Sequence, residues 1–200
     1  MTKNPTFQTA SKKSDEEFPD SFSANFPMTL EQALQNSSAP PEILAAQTLL
    51  DLPFLNFSGE IHLGFLVAHR DLEIEIREIF AEILAARFPI FQMVPTVQFD
   101  WSDDVSMEQN NSSAFNYRLK VGKPELSLHA TGHAIDINPR QNPYIKGDLV
   151  LPPGALYEPE KPGTITEDGA VVRAFESRGW IWGGRWQHIG DFHHFEKPTI

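Results

Sequence analysis

The stretch Ser127-Leu128-His129-Ala130-Thr131-Gly132-His133-Ala134-Ile135-Asp136 decides how the C-terminal half of the chain folds. His129 and Asp136 are seven residues apart, so on one helix they would lie two turns and roughly 10 Å apart along its axis. Gly132 lies between them and permits a turn that other residues adopt only at a steric cost. After the turn the pattern has period two, which predicts a strand with Ile135 in the core and Asp136 on the opposite face. We therefore expect His129 and Asp136 to meet across the turn.

An imidazole and a carboxylate that converge in this way are ligands that zinc prefers in proteins. A catalytic zinc has three protein ligands and one open position, so a further ligand has to come from elsewhere in the chain. Three histidines near the C-terminus are candidates: His188, His193 and His194. Asp191 lies three residues before His194, and a catalytic zinc needs a carboxylate beside the metal to accept a proton. The sequence therefore predicts one zinc site, without deciding among the three histidines.

Several short motifs follow one another in a fixed order: Asn116-Tyr117-Arg118, Ser127-x-His129-x-x-Gly132-x-Ala134-x-Asp136, Trp182-Gly183-Gly184-x-Trp186 and Asp191-x-x-His194-Phe195. In this order they resemble the M15 zinc peptidases, over roughly residues 59 to 198. That family contains D-Ala-D-Ala carboxypeptidases, D-Ala-D-Ala dipeptidases and the L-Ala-D-Glu peptidases of phage endolysins. The motifs are most similar to the endolysin-like subgroup of the family, which has proline where this chain has His193.

The resemblance implies a centre with one zinc ion per chain and three protein ligands, namely His129, Asp136 and His194. It also implies roles for residues around the metal: Asp191 as general base, Arg118 beside the scissile carbonyl, and Ser127 and Tyr117 in substrate binding. His193 is then expected to face away from the metal or to form a hydrogen bond nearby. The expected substrate is a peptidoglycan stem peptide.

Two alternatives remain open at this point. The hedgehog signalling domain resembles these peptidases, so a non-catalytic zinc-containing binding domain on the same scaffold is the alternative function. Within the enzyme class, a carboxypeptidase needs an extra cation for the terminal carboxylate, and an endopeptidase needs an open cleft. The candidate cations are Arg140, Arg173 and Arg185.

Composition limits the class of protein. A chain of 200 residues suits one domain of ordinary size, and we expect a monomer. Because cysteine is absent, zinc would have to be held by histidine and carboxylate. The net charge of −11 and the lack of a basic run argue against nucleic acid as a partner. No apolar run predicts a transmembrane segment or a secretory signal, so how the protein would reach a cell wall stays open.

The expected organisation has three parts. Residues 1–27 are expected to form a mobile arm because they are rich in Ser, Lys, Asp and Asn. Residues 28–58 are expected to form a helical extension, with a capping box at Thr29 and a second helix from Pro41 through Leu50. Residues 59–200 would form the zinc peptidase domain.

Within that domain the pattern mixes strands and helices without βαβ alternation, which predicts an α+β fold with a mainly antiparallel sheet and flanking helices, like that of the hedgehog and D-Ala-D-Ala peptidase domains. The predicted strands are Ile61–Val67, Thr96–Phe99 and Phe115–Leu119, and the predicted helices are Asp71–Arg87 and Thr166–Ser177. Residues 101–113 are typical of a loop. The prolines between Pro139 and Gly163 predict a long loop without a helix or a central strand.

Overall fold

A computed structural model describes residues 28–198 of the chain. The expected arm of residues 1–27 lies outside the described residues. The structure combines short helices with small, mainly antiparallel sheets, which confirms the α+β class. The helices are α1 (Leu30–Ala33), α2 (Pro41–Ala45), α3 (Glu73–Ala85), α4 (Asp103–Glu108) and α5 (Ala170–Glu176). The strands are β1 (Gln47–Leu55), β2 (Ile61–His69), β3 (Gln92–Met93), β4 (Asn111–Ser112), β5 (Ala134–Asp136), β6 (Tyr144–Lys146), β7 (Leu149–Leu151), β8 (Ile181–Trp182), β9 (Gly190–Asp191) and β10 (His194–Glu196).

The first two helices precede a long hairpin. Thr29 and Gln32 form the expected capping box at the start of α1. The prediction of a helix through Leu50 is wrong, because α2 ends at Ala45 and β1 then pairs with β2 along its whole length. Leu50, Leu52 and Phe54 are buried at alternate positions of β1, the period of a strand with one face in the core. A division of the chain near residue 59 stays a prediction, although strands on both sides of it pair.

The main core lies between the hairpin and α3. This helix begins two residues after the predicted start, behind a 3-10 turn at Arg70–Leu72, and ends near the predicted end. It buries four apolar side chains against β1 and α5: Ile76, Ile79, Phe80 and Ile83. Burial of each such side chain stabilises the fold by about 1.5–3 kcal/mol. The helix therefore fixes the scaffold behind the site.

The middle of the chain differs from expectation. The predicted strand Thr96–Phe99 is a 3-10 helix, and the predicted loop over residues 101–113 contains α4 and β4. The Ser102 hydroxyl accepts a hydrogen bond from the backbone of Val105, and two aspartates occupy the first turn of α4. Both features stabilise the start of a helix, which is why a helix forms although the polar composition of this segment suggested a loop. The predicted strand Phe115–Leu119 is also wrong, since only a single bridge between Leu119 and Leu126 forms there.

The C-terminal part contains two three-stranded sheets, with the strand orders β5-β10-β8 and β7-β6-β9. The prediction that prolines exclude a central strand between Pro139 and Gly163 is wrong, because β6 lies between β7 and β9. Pro143 and Pro152 flank the β6–β7 hairpin, so neither removes a hydrogen bond from its interior. Helix α5 begins four residues after the predicted Thr166, with Gly169 as its N-cap. None of the helices within residues 28–198 has the length and apolar character needed to cross a membrane.

Candidate metal centre

The turn at Gly132 brings the ends of the stretch Ser127–Asp136 together. Residues 128–131 form a 3-10 helix that ends at Gly132 with φ of 74°. A Cβ atom at this position would lie 2.5 Å from the backbone nitrogen of His69, so a larger residue does not fit. Strand β5 follows, with the Ile135 side chain fully buried in the core and Asp136 on the opposite face. The expected turn and strand parity are confirmed.

The ligand atoms of His129, Asp136 and His194 converge on one point. Nε2 of His129 lies 3.1 Å from Oδ2 of Asp136, and Nδ1 of His194 lies 2.9 Å from Oδ1 of the same carboxylate. Strands β5 and β10 hold this arrangement, because His194 pairs directly with Asp136 in their ladder. All three residues are buried, and within residues 28–198 they form the group of histidines and carboxylates that could hold a metal ion. His188 does not belong to this group.

Each imidazole is oriented by its second ring nitrogen. Nδ1 of His129 lies 2.5 Å from the carbonyl oxygen of Ala114, which can only accept, so this nitrogen carries the proton. Nε2 of His194 lies 3.3 Å from the carboxylate of Glu196 and donates to it. In the neutral rings the remaining nitrogens, 3.1 Å apart, therefore point lone pairs at each other. Such carboxylate and carbonyl partners orient metal-bound histidines in zinc proteins.

The donor set fits zinc. Two ligands about 2.0–2.1 Å from a tetrahedral ion lie roughly 3.3 Å apart. The two ring nitrogens lie 3.1 Å apart, and each lies 2.9 to 3.1 Å from one of the two oxygens of Asp136, distances only slightly shorter than this. A cation between the facing lone pairs would remove their repulsion, and two imidazoles with one carboxylate leave a fourth position open. These residues have the chemistry and the spacing of a three-ligand metal site.

The buried charges at the site shift one another's pKa values. Burial alone would raise the pKa of Asp136, but the neighbouring His129 and His193 hold it well below its ordinary value. Burial alone would lower the pKa of His194, but its hydrogen bonds to Asp136 and Glu196 raise it to about 10. Without a metal, His194 is therefore positively charged at neutral pH, and this charge stabilises the buried carboxylate of Asp136.

Asp191 lies in the wall of the cavity next to these residues. Its strand, β9, pairs with β6 through Tyr144. A Cβ atom at Gly183 would lie 2.6 Å from the backbone oxygen of Asp191, so this glycine allows the two segments to approach closely. Oδ1 of Asp191 lies 3.0 Å from Nε2 of His193. Burial would raise the pKa of Asp191, but the charge of His193 lowers it.

Two of the three tryptophans of the C-terminal part, Trp182 and Trp186, contact the segment that forms this wall. Trp180 and Trp182 are buried in the core, and the indole nitrogen of Trp182 donates to the carbonyl of Phe192 at 2.9 Å. Trp186 lines the cavity, with its ring centroid 5.4 Å from that of His194. The Trp-Gly-Gly-x-Trp run thus supports the segment that holds Asp191 and His194.

The cavity above the candidate ligands has a volume of about 300 Å³. Arg118 and Ser127 line it, and Nε of Arg118 lies 2.9 Å from Oδ1 of Asp103. The Ser127 hydroxyl accepts a hydrogen bond from the backbone of His129 at 3.3 Å. Tyr117 instead packs against the apolar cluster that contains Val67 and Phe115. Its expected part in substrate binding stays a prediction.

The cations of the cavity wall differ from those expected. Of the residues 28–198 that the structure describes, Arg118, Lys120 and Lys123 line the cavity, and the sequence reasoning did not single out the two lysines. They lie in the turn between the bridged residues Leu119 and Leu126. Arg173 and Arg185 are bonded elsewhere, to the carbonyl of Asp168 and to two glutamates. Both lysines lie in sequence between Arg118 and Ser127, two predicted site residues, and this position could have indicated that they line the cavity.

Comparison with known proteins agrees with the geometry of the site. Residues 121–197 match a family model described as D-alanyl-D-alanine carboxypeptidase. Searches of curated proteins and of solved structures gave no match. The matched segment contains all three candidate ligands and Asp191, whereas Arg118 precedes it. The match confirms the resemblance seen in the motifs: the segment that carries the candidate site is similar to the M15 peptidase family.

Proposed function

We propose that this protein is a zinc-dependent peptidase that hydrolyses a peptide bond in peptidoglycan stem peptides. The observation that carries the proposal is the convergence of His129, Asp136 and His194 in one wall of a cavity that also contains Asp191. A structural zinc site usually has four protein ligands, whereas three leave a position for water. The scaffold we propose is the one shared by hedgehog and D-Ala-D-Ala peptidase domains.

The residues of the cavity have complementary roles in this proposal. Zinc, when bound, would polarise the scissile carbonyl and lower the pKa of water. Asp191 accepts a proton from the attacking water on its carboxylate and passes it to the leaving amine. Arg118 stabilises the negative charge that develops on the carbonyl oxygen, and Ser127 donates a hydrogen bond to the substrate. Tyr117 packs in the neighbouring apolar cluster, so it would contribute to substrate binding indirectly, by supporting Arg118.

The catalytic function is favoured over a non-catalytic zinc-containing domain by the groups that do not bind the metal. Asp191 and Arg118 both line the cavity, as hydrolysis requires. A domain that only binds a partner has no need for a buried carboxylate beside the metal ligands. Both residues therefore point to chemistry at the open metal position.

The substrate is an acidic peptide in this proposal. Stem peptides carry carboxylates, and the cavity wall offers Arg118, Lys120 and Lys123 to them. A carboxylate close to the cleaved bond occurs both in D-Ala-D-Ala termini and at the L-Ala-D-Glu bond. The activity is accordingly either that of a D-Ala-D-Ala carboxypeptidase or that of an L-Ala-D-Glu endopeptidase.

Product analysis tests the proposal. Purified muropeptides are incubated with the zinc-loaded protein, and the products are identified by mass spectrometry. Release of one alanine indicates the carboxypeptidase, and separation of L-Ala from D-Glu indicates the endopeptidase. His129→Ala is the control, which should lose both zinc and hydrolysis because one of three ligands is gone. Intact muropeptides with the zinc-loaded wild type would favour the non-catalytic domain instead.

A further inference from the structure

His193 is buried beside the metal ligands without being one of them. Only 4% of its surface is exposed, although histidine is polar at both ring nitrogens. Nδ1 lies 2.7 Å from the carbonyl oxygen of Asn142, and Nε2 lies 3.0 Å from Oδ1 of Asp191. The distance from Nε2 to Oδ2 of Asp136 is longer, 4.0 Å. The ring thus connects a backbone carbonyl on one side to Asp191 on the other.

The carbonyl end of this connection is fixed. The side chain of Asn142 donates to the carbonyl oxygens of Ile137, Asn138 and Gly163, and it accepts a hydrogen bond from the backbone of Ile165. Asn142 is fully buried. A residue with this many hydrogen bonds has little freedom to move, so its carbonyl gives the His193 ring a defined position.

The carboxylate end depends on one contact. Nε2 of His193 lies beside Oδ1 of Asp191, and within residues 28–198 this buried oxygen has no other partner. The backbone of Asp191 is already held by its pairing with Tyr144. This pairing does not fix the side-chain rotamer of Asp191. The contact with His193 restricts that rotamer.

We propose that His193 is a positioning residue for Asp191. It holds Oδ1 so that the carboxylate keeps a fixed place in the cavity wall, beside the candidate ligands His129, Asp136 and His194. The inference rests on the proposed function, in which Asp191 accepts the proton of the attacking water. The motif to which this part of the chain is similar has proline here, and a proline side chain can form neither contact. This chain therefore orients its carboxylate by a side-chain contact of its own.

Three variants separate the contact from the volume of the ring. His193→Ala removes both, His193→Phe keeps a ring without donors, and His193→Gln keeps a donor of similar reach. We expect kcat to fall about 10- to 100-fold in the Ala and Phe variants, the usual effect of losing a partner outside the ligand shell. The Gln variant should recover most of the rate. KM and zinc content should stay close to those of the wild type in all three.

A second measurement does not depend on turnover. Crystal structures of the zinc-loaded wild type and of His193→Ala should show one ordered Asp191 rotamer in the first and a changed or disordered one in the second. An unchanged Asp191 in His193→Ala, or an unchanged kcat, would overturn the inference. Loss of zinc in His193→Ala would also overturn it, since His193 would then act on the metal. If the wild type hydrolyses no muropeptide, the proposed function fails, and the Asp191 rotamers still decide the positioning role.

Discussion

Replacing Gly183 by alanine should displace Asp191 and slow hydrolysis without releasing zinc. The added Cβ would lie 2.6 Å from the backbone oxygen of Asp191 and 2.8 Å from its Cβ. Since non-bonded contacts of carbon are comfortable only from roughly 3.5 Å, one of the two segments has to move by about 0.9 Å. A shift of about 1 Å at a catalytic group can reduce the rate about 100-fold. Gly183 has no positive φ, so steric displacement is the cause to be tested.

The assay measures kcat on the muropeptide that the wild type cleaves, together with zinc content and the melting temperature Tm. We expect kcat of Gly183→Ala to fall about 100-fold while zinc stays bound, because His194 remains paired with Asp136. Gly184→Ala is the matched control, since its Cβ would meet the Trp182 ring rather than Asp191. It should lower Tm, through about 1–3 kcal/mol of overpacking, with a smaller loss of rate. A wild-type kcat in Gly183→Ala would refute the reasoning, as would equal losses of rate in both variants.

Three further predictions concern charge at the site. Asp191→Asn should keep zinc and lower kcat about 10²- to 10⁴-fold, the usual share of general base catalysis, and retained hydrolysis in this variant would place the base elsewhere. Zinc binding at pH 7 should release about one proton, because His194, whose pKa is raised to about 10 without metal, has to become neutral before it can bind. The affinity for zinc should therefore rise with pH over this range. Calorimetry in buffers of different ionisation enthalpy counts the released proton. Replacing Lys120 and Lys123 together by methionine should raise KM about tenfold for an acidic peptide. For the same peptide with its carboxylates amidated, KM should stay unchanged. An equal rise of KM for both peptides would exclude recognition of a carboxylate by these lysines.

The sequence predicted the convergence of His129 and Asp136 because it depends on local chemistry. Gly132 dictates a turn, and the alternation of Ile135 and Asp136 assigns one side chain to the core and the other to the site. His194 follows less directly, because spacing alone left three histidines open. The ladder between β5 and β10, which puts His194 opposite Asp136, is a long-range pairing that periodicity does not reveal.

The errors in the fold occurred where distant partners override local patterns. Residues 47–50 are compatible with a helix that begins at Pro41, but nine paired residues of β2 make the strand the better solution. Strand β6 was missed because prolines on both sides suggested a loop. In the structure β7 pairs with all three of its residues and β9 pairs with two of them. The two lysines of the cavity wall were missed since a turn next to the site positions them, and turn geometry is not encoded in their spacing.

The net charge of −11 does not prevent the cavity from binding an acidic peptide. The carboxylates that line the cavity each have a close partner: Asp103 has Arg118, Glu196 and Asp136 have His194, and Asp191 has His193. Charges elsewhere on the surface are screened over about 8 Å at physiological ionic strength, so they act weakly within the cavity. The ion pair between Lys120 and Glu125 is long, 3.9 Å, and exposed to solvent, so it holds Lys120 weakly. In the proposed function, a peptide carboxylate at the cavity would therefore meet the lysines and the metal position, and the local pairing of charges, rather than their sum, would set the specificity.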